Sequence, residues 1–150
     1  MPDITLRAAT AADQPAIQRI IRAEGLNPMA LDWPRFIVAE LDGDVVGIGQ
    51  IKVLGDGARE LASLAVLPAH QGTGVGGALV WTLISRTPGP LYLRCASHNE
   101  GYYHRFGFMT LTPEQMPPSL RRMYRIVNPL VGVYNWVTGG CERMLIMGRL

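Results

Sequence analysis

The chain has 150 residues, of which 48% are hydrophobic and 17% charged, and its formal net charge is +2 at pH 7. This length allows one domain with a hydrophobic core, and so small a charge gives no basis for nucleic-acid binding. The two cysteines, Cys95 and Cys141, form no cluster with metal-ligand spacing, so we expect no metal site and no disulfide framework.

The first three residues show neither the basic region nor the apolar region of a signal peptide. No uncharged apolar stretch approaches the length of a membrane span. Repeats and low-complexity linkers are also missing from the sequence. We therefore expect a single domain over residues 1–150, without a transmembrane segment, in a reducing, cytoplasmic location.

In chain order, alternation predicts a first strand at residues 4–7, and the capping-box pattern at residues 10–13 predicts a helix that ends by Gly25. A turn or short helix is expected at 31–35. Strands follow at 36–41, 45–53 and 59–67, and the two short glycine turns between them indicate an antiparallel meander. Gly47 and Gly49, inside the middle strand, indicate a close packing partner or a bulge.

A helical pattern begins at Ala78. The next strand, at 90–95, is expected to run parallel to the 59–67 strand because a helix connects them. A short helix at 99–106 and a strand at 108–111 follow. From Pro117 a helical pattern runs to Gly139-Gly140, with a break predicted at Pro129, where Asn128 would cap a second helix. The final strand is expected at 143–147.

A glycine-rich stretch follows the third strand of the meander. Pro68 stops the apolar run, and four glycines occupy positions 72, 74, 76 and 77 before the helix. Glycines let the backbone turn tightly and approach a ligand, and the free N–H groups of a helix N-terminus favour an anion. The stretch therefore predicts a phosphate or pyrophosphate site, the alternative being a turn without ligand.

Three known phosphate-binding motifs have glycines at spacings similar to those of this stretch. A P-loop needs Lys and then Ser or Thr after its last glycine, which this sequence lacks. The dinucleotide-binding pattern G-x-G-x-x-G fits residues 72–77, but no acidic residue follows between residues 85 and 97. The third pattern, Q/R-x-x-G-x-G/A, fits residues 71–76. Here the sequence resembles the GNAT superfamily of N-acetyltransferases, and a dinucleotide-binding protein is the rival interpretation.

The resemblance implies an α/β (α+β) GNAT fold: a mixed, mostly antiparallel central sheet of about seven strands with helices on both faces. It also implies that the loop binds the pyrophosphate of acetyl-CoA, through Gln71, Gly72, Thr73, Gly74, Val75 and Gly76. Main-chain groups of Leu64, Ala65 and Val66 would bond the pantetheine arm where this strand splays from its neighbour. A main-chain N–H there would serve the oxyanion. The family usually has a short hairpin loop where this chain has an insertion at 116–138.

Glu60 is the candidate general base. It lies six residues before Val66, and alternation places Glu60, Ala62, Leu64 and Val66 on one face of the strand. In many GNAT enzymes a glutamate at this strand position deprotonates the amine, often through water. Two structural alternatives remain: a solvated strand end, or an ion pair with Lys52 across the hairpin.

Tyr103 is the candidate general acid. Residues 103–108 resemble the family's Y-x-x-x-G-F motif, with Tyr103, Gly107 and Phe108 at the matching positions. The resemblance implies a hydroxyl near the coenzyme A sulfur, and a phenol suits a thiolate leaving group. In this interpretation Tyr102 is a structural partner beside Phe106. The alternative is that both tyrosines are core aromatics.

The sequence thus predicts an N-acetyltransferase that moves an acetyl group from acetyl-CoA to a primary amine, of a small molecule or a protein, directly within a ternary complex and without a metal. The alternative is a non-catalytic acyl-CoA-binding module that acts through a partner or a membrane surface. A Cys95 nucleophile with His98 or His104 has no motif in its favour. Acceptor specificity is expected from residues 26–35, 52–59 and 116–138, and a homodimer is left open.

Overall fold

The structure is a computed structural model that describes residues 3–150. Met1 and Pro2, on which the signal-peptide expectation partly rests, lie outside the described residues. The strands are β1 (Thr5–Ala8), β2 (Phe36–Leu41), β3 (Asp44–Val53), β4 (Arg59–Val66), β5 (Leu91–Ala96), β6 (Met109–Thr110) and β7 (Met144–Arg149). The helices are α1 (Gln14–Ala23), α2 (Val75–Ser85), α3 (Glu100–His104) and α4 (Pro118–Thr138).

The seven strands form one sheet in the order β1-β2-β3-β4-β5-β7-β6. The β4–β5 pair is parallel, as predicted, and joins Glu60 to Tyr92. The β1–β2, β2–β3, β5–β7 and β6–β7 pairs are antiparallel. The predicted fold class, a mixed and mostly antiparallel seven-stranded sheet with helices, is confirmed.

The chain forms two compact units, which are described separately. The first contains the residues up to Lys52 together with Leu61–Pro88, and the second contains Val53–Glu60 with Gly89–Leu150. In the first unit, Ile17, Ile20 and Ile21 of α1 pack in one buried cluster with Ile48 of β3. Successive strand residues point to opposite faces, so the neighbours of Ile48 face away from α1.

Those neighbours are Gly47 and Gly49, for which the sequence predicts a close packing partner or a bulge, and the β2–β3 register does shift between Ala39 and Glu40, opposite Gly47 and Val45. A Cβ on Gly47 would lie 3.0 Å from Leu79 Cδ1, and one on Gly49 would lie 2.8 Å from Leu83 Cδ1. Both contacts would be tighter than normal packing allows. The glycines therefore let α2 lie close against β3, on the face opposite α1.

An ion-pair network in the first unit fixes the start of α1. Asp13 is buried and accepts hydrogen bonds from Arg7 Nη1 at 2.7 Å, Arg7 Nη2 at 3.0 Å and the Thr10 N–H at 2.7 Å. Arg7 Nε also donates to Glu40 Oε2 at 2.7 Å. The hydrogen bonds from Arg7 lower the pKa of Asp13 from 3.8 to about 2.

We expect Asp13→Asn to lower the free energy of unfolding at pH 7 by about 2 kcal/mol, since one pKa unit corresponds to ~1.4 kcal/mol. The folded-state pKa is depressed, so this stability is present above pH 4 and is lost as the pH falls toward 2. Urea unfolding at pH 7 and pH 3 checks it, with the exposed Asp44→Asn as control. Equal losses at both pH values would contradict the prediction, which requires the loss to fall by about half at pH 3.

The core of the second unit lies under α4. Leu111, Met116, Leu120 and Ile146 form a buried cluster there, and β5 pairs with β7 over its full length from Leu91↔Arg149 to Ala96↔Met144. The strand β6 is shorter than the predicted 108–111, because only Met109 and Thr110 pair with β7. Likewise the helix predicted at 99–106 is helical only at Glu100–His104.

The predicted helix break at Pro129 is wrong. α4 runs without interruption from Pro118 to Thr138, with Pro129 inside it. Asn128 does not cap a second helix: its Nδ2 donates to Met144 O and its Oδ1 accepts from Met144 N, both at 3.2 Å. Pro129 is exposed, so water can bond the carbonyl that loses its helical partner, and the two Asn128 bonds hold the helix against β7.

Candidate functional site

The glycine loop lies between β4 and α2 in the first unit. Gly72 has φ 74° and Gly74 has φ 92°, and a Cβ at either position would meet open space. Glycine is therefore required there by the left-handed backbone and not by packing. Gly74 is the N-cap of α2, which begins at Val75, three residues earlier than the predicted Ala78.

The early start of α2 places Gly76 and Gly77 in the first helical turn. The first intrahelical bond runs from the Ala78 N–H to Gly74 O at 3.0 Å, so the N–H groups of Val75, Gly76 and Gly77 precede the helical ladder. Free N–H groups and the positive end of the helix dipole lie at the same point. This end of α2 therefore has the donors that an anion such as pyrophosphate requires.

Side chains of the loop hold its shape. Gln71 Nε2 donates to Val66 O, the last carbonyl of β4, at 2.9 Å, and Thr73 Oγ1 donates to His70 O. Gln71 thus ties the loop to the end of the strand. Val66 is one of the three residues whose main chain is expected to bond pantetheine, and its carbonyl already accepts the bond from Gln71. Because a carbonyl oxygen can accept two hydrogen bonds, it can still accept one from pantetheine.

β4 contains an irregularity that the sequence did not reveal. Ser63 has φ 55°, a left-handed backbone that is uncommon for residues other than glycine. This residue interrupts the strict alternation that was predicted for Glu60, Ala62, Leu64 and Val66. Strained backbone of this kind persists only when its surroundings fix it, and it often marks a functional segment.

Gln50 bonds the side chain of Ser63. Its side chain is fully buried, and its Nε2 donates to Ser63 Oγ at 2.8 Å and to Ala30 O at 3.0 Å. Gln50 thereby connects the irregular part of β4 to the segment after α1. The sequence analysis missed Gln50, although an amide in the otherwise apolar 45–51 run was a signal, since a buried amide needs partners.

Glu60 is neither solvated nor at a free strand end: it is 1% exposed. Arg94 Nη2 of β5 donates to Glu60 Oε1 at 3.0 Å, and Arg94 Nε lies 2.8 Å from Oε2. Within residues 3–150 Oε2 has no hydrogen bond of good geometry, so its contact with Nε is an ion-pair contact. Glu60 is thus a buried carboxylate that forms an ion pair with the guanidinium of Arg94 on one side.

Arg94 was another residue that the sequence analysis passed over. It lies in the middle of the apolar strand Leu91–Ala96, where a charged side chain needs a partner of opposite charge. Alternation places Arg94 and its neighbour Cys95 on opposite faces of β5. The carboxylate of Glu60 therefore lies on the face of the sheet to which Arg94 points, and Cys95 points to the other face.

Tyr103 lies in α3, within an aromatic cluster. Its ring makes edge contacts with Tyr102, at 5.1 Å between centroids, and with Phe108, at 6.2 Å. Tyr102 also contacts Phe106 at 5.3 Å, as the sequence suggested for a structural partner. Burial, with smaller effects of Cys95 and Tyr102, raises the pKa of Tyr103 to about 12, so the phenol keeps its proton at neutral pH.

The arrangement does not favour Cys95 as a nucleophile. Burial raises the pKa of its thiol to about 11, so the reactive thiolate is scarce at neutral pH. Both nearby histidines contact glutamates instead: His98 Nδ1 lies 2.7 Å from Glu142 Oε1, and His104 Nε2 lies 3.7 Å from Glu100 Oε1. No activated Cys–His pair is formed.

A cavity of about 590 Å³ lies in the first unit, between α1 and the segment that follows it. Gln18, Arg22 and Leu31 are among its lining residues. Gln14 holds the segment in place, because its Nε2 donates to Leu31 O and its Oε1 accepts from Trp33 N, both at 2.9 Å. The volume of the cavity is in the range of small-molecule sites, which run from roughly 300 to 1,000 Å³.

The glycine loop, the strand before it and the aromatic motif after it all lie in a region that matches one family model. The model of the acetyltransferase (GNAT) family matches residues 6–108, more than half of the chain. The chain belongs to the GNAT family. The resemblance found in the sequence is confirmed, and the dinucleotide-binding interpretation loses its basis, because the loop lies inside this match.

Solved structures with this fold include N-acetylglutamate synthase from Neisseria gonorrhoeae, complexed with coenzyme A and N-acetyl-glutamate. It is 23% identical with a TM-score of 0.74, over 99% of this chain and 35% of that chain. This GNAT chain therefore spans about a third of the length of that protein. No curated protein matches the chain.

Two further structures match over nearly their whole length. Rv2747 from Mycobacterium tuberculosis, in complex with CoA and NLQ, is 22% identical with a TM-score of 0.67, over 95% of this chain and 97% of that chain. The ribosomal-protein-S18-alanine N-acetyltransferase from Escherichia coli is 21% identical with a TM-score of 0.67, over 97% of this chain and 92% of that chain. At these identities the likeness shows the fold.

Two other classes of site were sought among residues 3–150. No group of three or more His, Cys, Asp or Glu side chains in this range could hold a metal ion. In the same part of the chain, no helix combines the length and apolar character needed to cross a membrane.

Proposed function

We propose that this GNAT-family chain is an acetyl-CoA-dependent N-acetyltransferase that acetylates a primary amine by direct transfer, and that both compact units belong to one domain over residues 1–150. The observation that carries the proposal is the left-handed backbone of Gly72 and Gly74 at the N-terminus of α2. The family match over residues 6–108, which takes in parts of both units, supports it.

The loop residues Gln71 to Gly76 bind the pyrophosphate in this proposal. Backbone N–H groups at the start of α2 donate to its oxygens, and the helix dipole favours its negative charge. Main-chain groups of Leu64, Ala65 and Val66 bond the pantetheine arm, beside the irregular backbone at Ser63. Gln71 and Thr73 keep the loop in its binding shape through their bonds to Val66 and His70.

Acetyl-CoA supplies an activated thioester, and the protein manages protons around it. An amine is protonated in water at neutral pH and must lose that proton before it attacks. Glu60, which forms an ion pair with Arg94, takes the proton, through a water molecule because its side chain is buried. Tyr103, still protonated at neutral pH, gives its proton to the leaving sulfur.

The acceptor site in this proposal is the cavity beside α1. Its volume of about 590 Å³ favours a small-molecule amine over a folded protein surface, and Gln18 and Arg22 offer polar groups to fix the acceptor. Gln50 donates both to Ala30 O in the cavity wall and to Ser63 Oγ of β4, so this wall is held to the segment Leu64 to Val66 that bonds the pantetheine arm in this proposal.

Calorimetric titration with acetyl-CoA, and with NAD as comparator, tests the proposal first. We expect binding of acetyl-CoA in the micromolar range and no binding of NAD. A panel of small primary amines is then screened for thiol release. Binding without turnover on any amine would instead favour a non-catalytic acyl-CoA-binding module, and no acetyl-CoA binding would overturn the pyrophosphate site and the enzyme proposal together.

We expect Gly74→Ala to weaken acetyl-CoA binding about tenfold or more, measured as Kd by the same titration. A Cβ is strained at φ 92°, so the variant moves the loop away from its anion-binding shape at a cost of about 1–2 kcal/mol. Gly43→Ala is the matched control: Gly43 has φ 83°, also with open space around its Cβ, in the turn between β2 and β3. A similar Kd for both variants would contradict the role of the loop.

A further inference from the structure

The outward side of α4 carries a continuous apolar surface. Six residues make up this surface, which we call the outer apolar face: Met123, Ile126, Leu130, Val133, Tyr134 and Val137. Each is between 38% and 71% exposed. Five of them follow the spacing 3-4-3-4 along the chain, which places them on one stripe of a helix about 100° wide.

The opposite side of α4 is already occupied by its own unit, with Leu120 in the buried cluster and Tyr124 packed against it. Asn128 bonds both backbone groups of Met144, Asn135 Nδ2 donates to Glu142 O, and Arg121 donates to Pro113 O at 2.8 Å and Met116 O at 3.0 Å. Helices of soluble proteins usually bury the apolar face and expose the polar one. In α4 the inner side has apolar residues as well, Val127 and Val131 being half-buried, so the exposed apolar stripe is additional to the face that packs on its own unit.

The size of the face is that of a protein interface. From the exposed fractions, the six side chains leave roughly 700 Å² in water, and the neighbouring Trp136, which is 85% exposed, adds about 200 Å². Apolar patches on monomers reach about 300–600 Å², and each partner of a standard interface contributes about 800 Å². The area agrees with what one protomer of a stable dimer buries.

The face is also complementary to itself. Turning one helix antiparallel to another about a two-fold axis at Leu130 places Met123 opposite Val137 and Ile126 opposite Tyr134. These four residues and Leu130 all belong to the outer apolar face, as a two-fold interface requires, while Val133 lies opposite the half-buried Val127. The 3-4-3-4 spacing is the one that lets two helices interdigitate along such a seam.

The charges of α4 favour the antiparallel direction. Arg121, Arg122 and Arg125 all lie in its first half, near the positive end of its own dipole, and its last turn has no basic residue. In an antiparallel pair, Arg122 of one copy, which borders the face, lies near the C-terminal carbonyls of the other, where the dipole is negative. A parallel pair would instead bring the arginines of both copies together.

We propose that a second copy of this chain docks on the outer apolar face, so that two α4 helices pair antiparallel about a two-fold axis at Leu130. The observation behind it is independent of the proposed activity, and the dimer stands or falls without it. A membrane surface is the rival occupant, because arginines and a tryptophan also suit a helix that lies on anionic lipid. Only Arg122 borders the face, and Arg121 is engaged with Pro113 O and Met116 O, so few cations are available for anionic lipid and the second copy is favoured.

Sedimentation equilibrium over a concentration series tests the dimer. We expect the wild-type chain to approach twice its mass of 16.4 kDa, and Leu130→Glu to sediment as a folded monomer, since two carboxylates would meet at the axis. Met109→Glu is the matched control, because Met109 is similarly exposed at 62% but lies in β6. A monomeric wild-type chain, or a Leu130→Glu variant that is still dimeric, would overturn the proposal.

Disulfide trapping tests the direction of pairing and does not depend on the Leu130→Glu variant folding. In a Cys141→Ser background, Leu130→Cys should form a covalent dimer by itself. Met123→Cys alone should not, since in antiparallel helices its two copies would be about 20 Å apart at 1.5 Å per residue. Met123→Cys mixed with Val137→Cys should cross-link as a heterodimer, and the background protein gives the contribution of Cys95.

Self-cross-linking of Met123→Cys would overturn the antiparallel direction, and no cross-link in any variant would overturn the dimer. Co-sedimentation with vesicles distinguishes the dimer from the rival occupant, a membrane surface. If the wild-type chain is monomeric and binds phosphatidylserine vesicles but not phosphatidylcholine vesicles, and Leu130→Glu abolishes this binding, then the face belongs to a membrane surface and the dimer proposal is wrong.

Discussion

Glu60→Gln should lower kcat/KM for the amine by 10²- to 10⁴-fold at pH 7, the range that general base catalysis contributes. Glutamine keeps the size of the side chain and can still bond Arg94, but it cannot accept a proton. At higher pH a larger fraction of the amine is already deprotonated, so the defect should shrink as the pH rises. The Kd for acetyl-CoA should remain within about threefold of the wild-type value, because Glu60 does not bind the cosubstrate in this proposal.

Glu40→Gln provides a matched control for the loss of an arginine partner. Glu40 is also a strand glutamate whose carboxylate pairs with an arginine, Arg7, at 2.7 Å. If the pair of Glu60 with Arg94 were merely structural, both variants would lose stability without a pH-dependent change in kcat/KM. A Glu60→Gln defect that is the same from pH 6 to pH 10 would likewise contradict the role of base, even if the variant were slow.

The two partners of the Glu60–Arg94 pair differ in what their removal leaves behind. Arg94 is about 29% exposed at its side chain, so water can solvate its charge once Glu60 is neutral. Removing Arg94 instead would leave the Glu60 carboxylate buried without its counter-charge, and such a change typically costs about 3–5 kcal/mol. Glu60→Gln is therefore the variant in which catalysis can be measured without a large loss of stability.

The features that depend on local chemistry could be predicted from the sequence. The glycine loop was predicted because glycines at 72 and 74 have few functions other than allowing left-handed backbone, and the close packing at Gly47 and Gly49 followed from glycines inside a strand. The parallel β4–β5 pair followed from the helix between the strands. In each case the residue type and its immediate neighbours were sufficient.

The features that depend on distant partners could not be predicted. Glu60 was expected to be a solvated residue, a partner of Lys52 or a base, and its partner proved to be Arg94, 34 residues away. Pro129 was expected to end a helix, but contacts of Asn128 with Met144, which is 16 residues further on, outweigh the cost of proline within a helix. Local propensity is a weak guide wherever tertiary contacts of this kind compete with it.

Ser63 is a third example, and it concerns the site itself. Serine gives no sign of a left-handed backbone, and the side chain that bonds Ser63 belongs to Gln50, which is 13 residues earlier. Strict alternation along β4 was therefore assumed where the strand is in fact irregular. Reading which side chains share a face with Glu60 required the structure.

Tyr103→Phe should lower kcat by about 10²- to 10³-fold and leave the Kd for acetyl-CoA nearly unchanged, because general acid catalysis contributes factors of this size. The ring, its edge contacts with Tyr102 and Phe108 and its burial all persist in phenylalanine, and only the hydroxyl is lost. Tyr102→Phe is the matched control: it removes the hydroxyl of the adjacent tyrosine, which has no catalytic role in this proposal, and should leave kcat within about twofold.

A thioester with a better leaving group separates catalysis by Tyr103 from a structural role. An aryl thiolate such as 4-nitrothiophenolate leaves without needing a proton, so acetyl transfer from its thioester should be nearly as fast in Tyr103→Phe as in the wild type. If the variant is equally slow with both donors, the hydroxyl does not protonate the leaving sulfur. Because burial raises the pKa of Tyr103 to about 12, its deprotonation should not slow the wild-type enzyme at pH 10 or below. The assignment of the proton to Tyr103 would be contradicted if the wild-type rate decreased as the pH was raised toward 10 and the rate of Tyr103→Phe did not.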